Sequence, residues 1–279
     1  MNQSPPIVLT IAGFDPSSGA GVTADIKTIA AHGCYGVAAV TALTVQSTRG
    51  VLRVEPANPK LLKESLDALA SDVKVSAVHI GMLGAGAIAS EVARFLVRAK
   101  LPNLVLDTVL CSTSGASLLN ESGREVLTRK LLPLTTIVTP NAQEASVLTG
   151  LEVTSTEQMK RAAERLREMG AQNAVVTGGH LDDATDVLSL ASGEVQTFKS
   201  EHLDSGFTHG TGCAFSTSIA CHLAQGRPLA EAVLLAKAYV TAAISNGYSV
   251  GEGISPVNHM YRLKNHPCGF AQRLASGRN

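Results

Sequence analysis

An α/β fold, built on a mostly parallel central sheet with an antiparallel edge, is predicted by three features of the sequence. Short apolar runs ending in Gly, Asp or Thr-Pro alternate with segments of helical period, the pattern of successive βαβ units. Glycine is abundant at 25 residues while aromatics are 4% and Trp is absent, which suits tight turns around a parallel sheet better than an aromatic-rich sandwich. Hydrophobic residues make up 45% and charged residues 16%, enough apolar material for a core and too much for disorder.

The elements follow in order. Residues 7–12 read as a buried strand, followed by a Gly/Ser loop and a helix over about 22–32. Residues 37–45, rich in Val and Ala, read as the second strand. Residues 60–69 have helical period, with Leu61, Leu62, Leu66 and Leu69 on one face. Val75–Ile80, Leu104–Leu106, Ile137–Val138 and Ala174–Val176 are short apolar strands, separated by helical segments that include 88–98 and the amphipathic 156–169. Residues 187–190 and 195–198 flank Ser192-Gly193 as a hairpin, which supplies the antiparallel edge. Residues 214–224 and Leu229–Ser245 are strongly helical and apolar. No repeat or linker divides the chain, so one domain is expected over 1–261, with a polar tail over 262–279.

Bulk chemistry narrows the function. Lys+Arg and Asp+Glu both number 23, so net charge is zero and pI near 7.1, without the basic footprint of a nucleic-acid binder. Cys34, Cys111, Cys213, Cys221 and Cys268 are odd in number, widely spaced and free of any C-x-x-C pair, which argues against a disulfide framework or zinc site and for a reducing cytoplasm. No basic, apolar leader is visible, and no stretch approaches the roughly 20 apolar residues of a membrane span, so no membrane partner is expected.

Several segments carry chemistry. His209-Gly210-Thr211-Gly212-Cys213 runs directly into an apolar helix; small residues let backbone N–H groups turn toward one point, and the positive helix end attracts an anion there. The same field would stabilise a Cys213 thiolate, although the segment reads equally as a flexible loop with Cys213 a small buried hydrophobe. Thr139-Pro140-Asn141-Ala142-Gln143-Glu144 places a carboxamide and a carboxylate at a strand's carboxyl end, suited to phosphate or Mg²⁺, and it also fits an N-cap with its capping-box partner. Both readings can hold together. Gly13-Phe14-Asp15-Pro16-Ser17-Ser18-Gly19-Ala20-Gly21, with Asp25 one turn into the next helix, lets a ligand approach backbone, or is an ordinary βα connection; it lacks the G-K-[ST] ending of a Walker loop. Gln46, Gly81-Met82 and Asp107 each follow a buried strand, so all of them fall along one sheet edge. A glutamine amide, which both donates and accepts, is suited to reading a heterocycle.

Taken together these segments resemble the hydroxymethylpyrimidine and phosphomethylpyrimidine kinases of the ribokinase-like superfamily, from Ile7 to about His259. The specific pieces are Thr10-Ile11-Ala12-Gly13, Asp15-Pro16, Gly19-Ala20-Gly21, Ala24-Asp25, Thr41 through Gly50, Ile80-Gly81-Met82-Leu83, Thr139-Pro140-Asn141 with Glu144, Gly178-Gly179-His180, and His209 through Cys213. The resemblance implies a three-layer α/β/α ribokinase-like fold, a homodimer, and Mg²⁺-dependent transfer from ATP to the hydroxymethyl aminopyrimidine of thiamin biosynthesis, its monophosphate, or both. By position it implies that Gln46 and Asp25 bind the aminopyrimidine and that Gly13, Ala20, Thr44, Met82 and Val109 wall its pocket. Gly210, Thr211 and Gly212 would form the anion hole, with Cys213 where most of the superfamily has an aspartate base. Asn141, Thr177, Gly179 and His209 would serve the nucleotide, and Glu144 and Asp107 the metal.

The chain departs from the pattern at Thr177, commonly a lysine, at Thr113-Ser114-Gly115-Ala116, often Lys-Ser-Gly-Asp, and at Ser17-Ser18-Gly19, more usually Ser-Gly-Gly. Losing two cations near a triphosphate leaves open a slower kinase, an altered donor, or compensation by another basic residue. Two other readings stand beside the first: a pyridoxal-type kinase, and a weakly active or non-catalytic pyrimidine or nucleotide sensor.

Overall fold

The computed structural model describes residues 4–112, 115–179, 184–200, 203 and 205–265. Thr113, Ser114, His180 and residues 266–279 of the expected tail lie outside the described residues.

Nine strands form one sheet: β1 (Ile7–Phe14), β2 (Tyr35–Ser47), β3 (Gly50–Pro56), β4 (Val75–Ile80), β5 (Leu104–Leu106), β6 (Ile137–Val138), β7 (Ala174–Val176), β8 (Thr185–Ser189) and β9 (Val195–Lys199), in the order β3-β2-β1-β4-β5-β6-β7-β8-β9. Pairing is parallel from β2 through β7 and antiparallel for β2–β3, β7–β8 and β8–β9. The expected hairpin edge at β8–β9 is present. A second antiparallel edge at β3 was not expected. Its sequence, GVLRVEP, is half exposed and separated from β2 by a turn of two residues, so no apolar run marks it. The second strand is also longer than expected, which puts Gln46 inside β2 rather than after it.

The helices are α1 (Gly21–Ala31), α2 (Pro59–Asp72), α3 (Gly86–Ala99), α4 (Glu121–Val126), α5 (Ala142–Thr149), α6 (Thr156–Glu168), α7 (Thr211–Ala224) and α8 (Leu229–Ser245). Side chains alternate across the sheet, as strand geometry requires. Leu9, Ile11, Ile80 and Leu106 enter a core shared with α2, α3, α5 and α6, while Val8, Ala77, Val105 and Val175 enter one shared with α1, α7 and α8. The result is the three-layer α/β/α arrangement. Local signals fix the helix starts: Asn58 accepts the N–H groups of Lys60 and Leu61 ahead of Pro59 in α2, and Asn141 and Glu144 form a reciprocal capping box at α5. Among the described residues no helix is long and apolar enough to cross a membrane.

The order of parallel strands reverses between β1 and β4. In an open α/β sheet that reversal opens a crevice beyond the strands' carboxyl ends.

Candidate active site

A cavity of about 860 Å³ occupies that crevice. Gly13 ends β1 in it, Thr44 and Gln46 reach it from one face of β2, and Met82, Asp107 and Thr139 follow β4, β5 and β6 into it. Ala20, Val109, Asn141, Glu144, Thr177, Gly179, His209, Gly210, Thr211, Gly212 and Cys213 complete the expected lining. At Gly13 an added methyl would stand 2.9 Å from the Met82 sulfur, so the absent side chain there is what keeps the pocket wall open.

Two loops far apart in sequence are locked together at one end. Asp15 accepts the backbone N–H groups of Ser17, Gly19 and Ala20 at 2.8, 3.2 and 2.9 Å, and its Oδ2 lies 2.8 Å from Nε2 of His209. Burial pulls the Asp15 carboxyl upward, but the hydrogen bonds from His209 and Ser17 overcome it and hold the group below its ordinary range. Nε2 of His209 also lies 3.4 Å from the Gln46 amide nitrogen, so the heterocycle-reading residue and the anion loop face the same space. Gly210 caps α7 at φ +80° without any side-chain cap. The N–H of Thr211 bonds to the Thr208 carbonyl, while those of Gly212 and Cys213 have no protein acceptor among the described residues. That is an anion-binding helix start.

Beside it sit two carboxylates. Glu144 accepts the Thr108 hydroxyl and the Asn141 and Leu110 N–H groups at 3.0, 3.1 and 3.2 Å, so it both caps α5 and clamps the segment after β5. Asp107, buried and repelled by Glu144, has its carboxyl pushed up to about 7. Cys213 departs from expectation. Burial first, then the negative charges of Asp107 and Asp25, push its thiol well above the ordinary value against a hydrogen bond from the Gly21 backbone, so the neutral thiol is favoured in the free site.

Asp25 also departs. It is fully buried and does not line the cavity; its two oxygens accept the Thr10 hydroxyl at 2.6 Å and the Thr217 hydroxyl at 2.9 Å. A carboxylate so engaged beneath the site is not a ligand of the ring, and the expected role in pyrimidine binding is withdrawn.

Three residues lining the cavity escaped the sequence reading. Asp15 stood in a recognised segment without a role. Lys237 and Asp186 line the far end of the cavity as a buried pair at 2.9 Å, with Lys237 also donating to the Ala184 carbonyl at 2.8 Å. Their signal was present: Lys237 is a lone cation inside the apolar α8, and Asp186 the one charge in the fully buried β8. Among the described residues lining the cavity, Lys237 is the one lysine or arginine.

Comparison with known proteins identifies a family. The profile of the phosphomethylpyrimidine kinase family matches residues 15–258. A hydroxymethylpyrimidine/phosphomethylpyrimidine kinase of Haemophilus influenzae is 40% identical over 257 residues, covering 90% of this chain and 96% of its own. That of Rhizobium meliloti is 42% identical over 272 residues, covering 92% and 97%. Among solved structures, phosphomethylpyrimidine kinase from Clostridium difficile is similar at TM-score 0.77 and 39% identity, over 86% of this chain and 99% of that one. An ADP complex of Bacillus subtilis pyridoxal kinase reaches TM-score 0.86 at 32% identity, over 94% and 100%. With its ribokinase-like layers and a match over most of its length, the chain belongs to the phosphomethylpyrimidine kinase family.

Proposed function

We propose that the chain transfers the γ-phosphoryl group of ATP to the hydroxymethyl group of the aminopyrimidine alcohol of thiamin biosynthesis, and to the monophosphate so formed. The observation that carries this is the shared cavity. Gln46, able to donate to and accept from an aminopyrimidine edge, faces the uncapped amides at the start of α7 across His209. Family membership supports the same substrate class.

Phosphoryl transfer asks a protein mainly for positioning and electrostatic stabilisation. Gly13, Ala20, Thr44, Met82 and Val109 hold the ring; the N–H groups of Gly212 and Cys213, with the positive end of α7, receive the charge that develops on the moving phosphoryl group. Cys213 lines the anion site, and because its thiol carries its own proton in the free site it becomes a base only after passing that proton to a bound phosphate oxygen; the thiolate then accepts the hydroxymethyl proton as the alcohol oxygen bonds to phosphorus. Asn141, Thr177, Gly179 and His209 serve the phosphates, and Lys237 supplies the cation that Thr177 does not.

Asp107 and Glu144 are an oxygen-only donor pair whose repulsion a cation would relieve, which fits Mg²⁺ held by one or two carboxylates and substrate phosphates. When bound, Mg²⁺ would neutralise charge on the donor phosphates. We further take the chain to be a single-domain cytoplasmic homodimer whose other partners are small molecules. The free Cys34, Cys111, Cys213 and Cys221 support the compartment. The apolar strip of Val40, Leu43 and Val45 on β2 with Leu52 on β3, exposed by 36, 55, 47 and 84%, supports a partner copy on that face.

A coupled assay of ADP release from Mg-ATP, run on the pyrimidine alcohol, its monophosphate and pyridoxal, tests the reading. Turnover on both pyrimidines is expected. The structural likeness to pyridoxal kinases favours a secondary activity on pyridoxal. Pyrimidine binding without ADP release would replace the kinase by a sensor.

A further inference from the structure

Beneath the cavity lies a chain of buried polar groups that the reaction above does not use. It joins β1, α1, β4 and α7 through Thr10, Asp25, His79, Ser216 and Thr217, all of them fully buried. His79 is its centre, bonded on both ring nitrogens. The Thr10 hydroxyl donates to Asp25 Oδ2 at 2.6 Å, so its proton is committed. His79 Nδ1 stands 3.2 Å from Thr10 Oγ1 and 3.3 Å from Asp25 Oδ2, where it meets only acceptors and must itself carry a proton. On the opposite side Nε2 lies 2.9 Å from Ser216 Oγ. The Ser216 proton has its own acceptors: the Gly212 carbonyl at 2.9 Å, and the Cys213 carbonyl and Asp107 Oδ2 at 3.2 Å. When the Ser216 proton goes to one of these acceptors Nε2 donates too, and His79 is then an imidazolium. Burial alone would lower its affinity for that proton, but the Asp25 carboxylate against it, and Asp107 beyond Ser216, raise it above the ordinary value.

His79 sits where it can act on the reaction without touching substrate. Ser216 and Thr217 are adjacent residues one turn into α7, bonded respectively to His79 and Asp25. They fix the rotation and depth of the helix whose first amides form the anion site. Through the same Ser216 hydroxyl the chain reaches Asp107, in the cavity wall. We infer that His79, pinned by Asp25, is a positioning residue for phosphoryl transfer: acting through Ser216, it holds the amides of Gly212 and Cys213 in register with Asp107. Asp25 thereby works in the site without contacting the pyrimidine. The inference rests on the kinase reading above.

The test compares His79→Gln, Ser216→Ala and the double variant in steady-state kinetics on the pyrimidine alcohol. A helix start displaced by a fraction of an ångström costs turnover rather than ring binding. Each single variant is expected to lose about 10-fold or more in kcat, with KM for the alcohol changed by no more than about threefold. Because both act along one path, the double variant should be no worse than the poorer single by more than about threefold. A purely structural histidine predicts otherwise: Ser216→Ala would turn over within about twofold of wild type, or the two losses would multiply, and either result overturns the inference. Should His79→Gln fail to fold, Ser216→Ala decides alone, since it removes one hydroxyl and leaves His79 paired with Asp25. An active wild type with a fully active Ser216→Ala sinks this inference only; a wild type that releases no ADP sinks the kinase reading and this inference together.

Discussion

Replacing Gly210 by alanine separates two costs that usually arrive together. Gly210 has φ +80°, and a methyl there would stand 2.9 Å from the carbonyl carbon of Gly19 and closer still to its oxygen. The left-handed conformation alone costs a non-glycine residue about 1–2 kcal/mol. Gly226, just past α7, has the same φ of +80° with nothing within 4 Å of an added methyl, so Gly226→Ala measures that backbone cost by itself. Gly210→Ala adds a clash with backbone, which cannot swing aside as a side chain can. Restoring an ordinary carbon–oxygen contact of about 3.3 Å parts the ring-binding loop from the anion loop by more than about 1 Å or distorts both. A misplacement of about 1 Å in reacting groups can cost about 100-fold in rate. In the ADP-release assay, Gly210→Ala should lose about 100-fold in kcat/KM, and by denaturant titration more stability than Gly226→Ala, which keeps wild-type turnover. If the two variants lost equal stability and both kept turnover within about twofold, the contact between the loops would have no part in catalysis.

Three further outcomes follow from the same geometry. Cys213→Ser should lower kcat more than about 10-fold while leaving KM for the alcohol nearly unchanged, because the thiol meets the reacting hydroxyl rather than the ring; equal turnover would remove it from the reaction. Lys237→Met should raise KM for ATP several-fold, about 10-fold at most, and destabilise by about 3–5 kcal/mol, since it strands the buried Asp186 carboxylate. Adding Asp186→Asn should recover the stability but not the KM, and Thr177→Lys should recover the KM; an ATP affinity indifferent to both lysines would show that neither serves the triphosphate. Asp107→Asn should abolish turnover yet stabilise the free protein above neutral pH. The folded carboxyl titrates near 7 against an ordinary 3.8, so between those values the folded state binds the extra proton and stability falls as pH rises. The variant's advantage, a few kcal/mol at pH 8, should shrink on acidification and vanish near pH 4; melting temperatures across that range check it.

The parallel strands were legible because burial on both faces writes them as continuous apolar runs. Once their order is parallel, chain geometry sends Gly13, Met82, Asp107 and Asn141 to one edge whatever their separation in sequence. The exposed β3 carries no such run, and the length of β2 was underestimated for the same reason: its outer half alternates exposed and half-buried side chains. Asp25 was misread because a position one turn into a helix carries no record of which layer it faces. Its fate is decided by Thr10, His79 and Thr217, residues contributed by three other elements. Cys213 failed differently. The field of the helix end is local and readable, whereas the burial and the carboxylates that raise the thiol come from the packed fold, Asp107 from just after β5 and Asp25 from α1. Where local and remote contributions to a charge state oppose each other, sequence sees only the first.

The contact between residues 13–21 and 209–213 then acquires a meaning neither loop has alone. Asp15 draws in the Ser17, Gly19 and Ala20 amides and reaches His209; Lys27 donates to the Ser18 carbonyl at 2.8 Å; and Gly19 can approach His209 only because it has no side chain. The wall proposed to hold a pyrimidine and the amides proposed to receive a phosphoryl group are thus one packed joint, above the Asp25–His79 pair. In-line transfer depends on the distance between the alcohol oxygen and the phosphorus. The spacing of the two loops, on which that distance would depend, is set by contacts between backbone atoms and buried charges, not by mobile surface side chains, so it is in place before either substrate arrives.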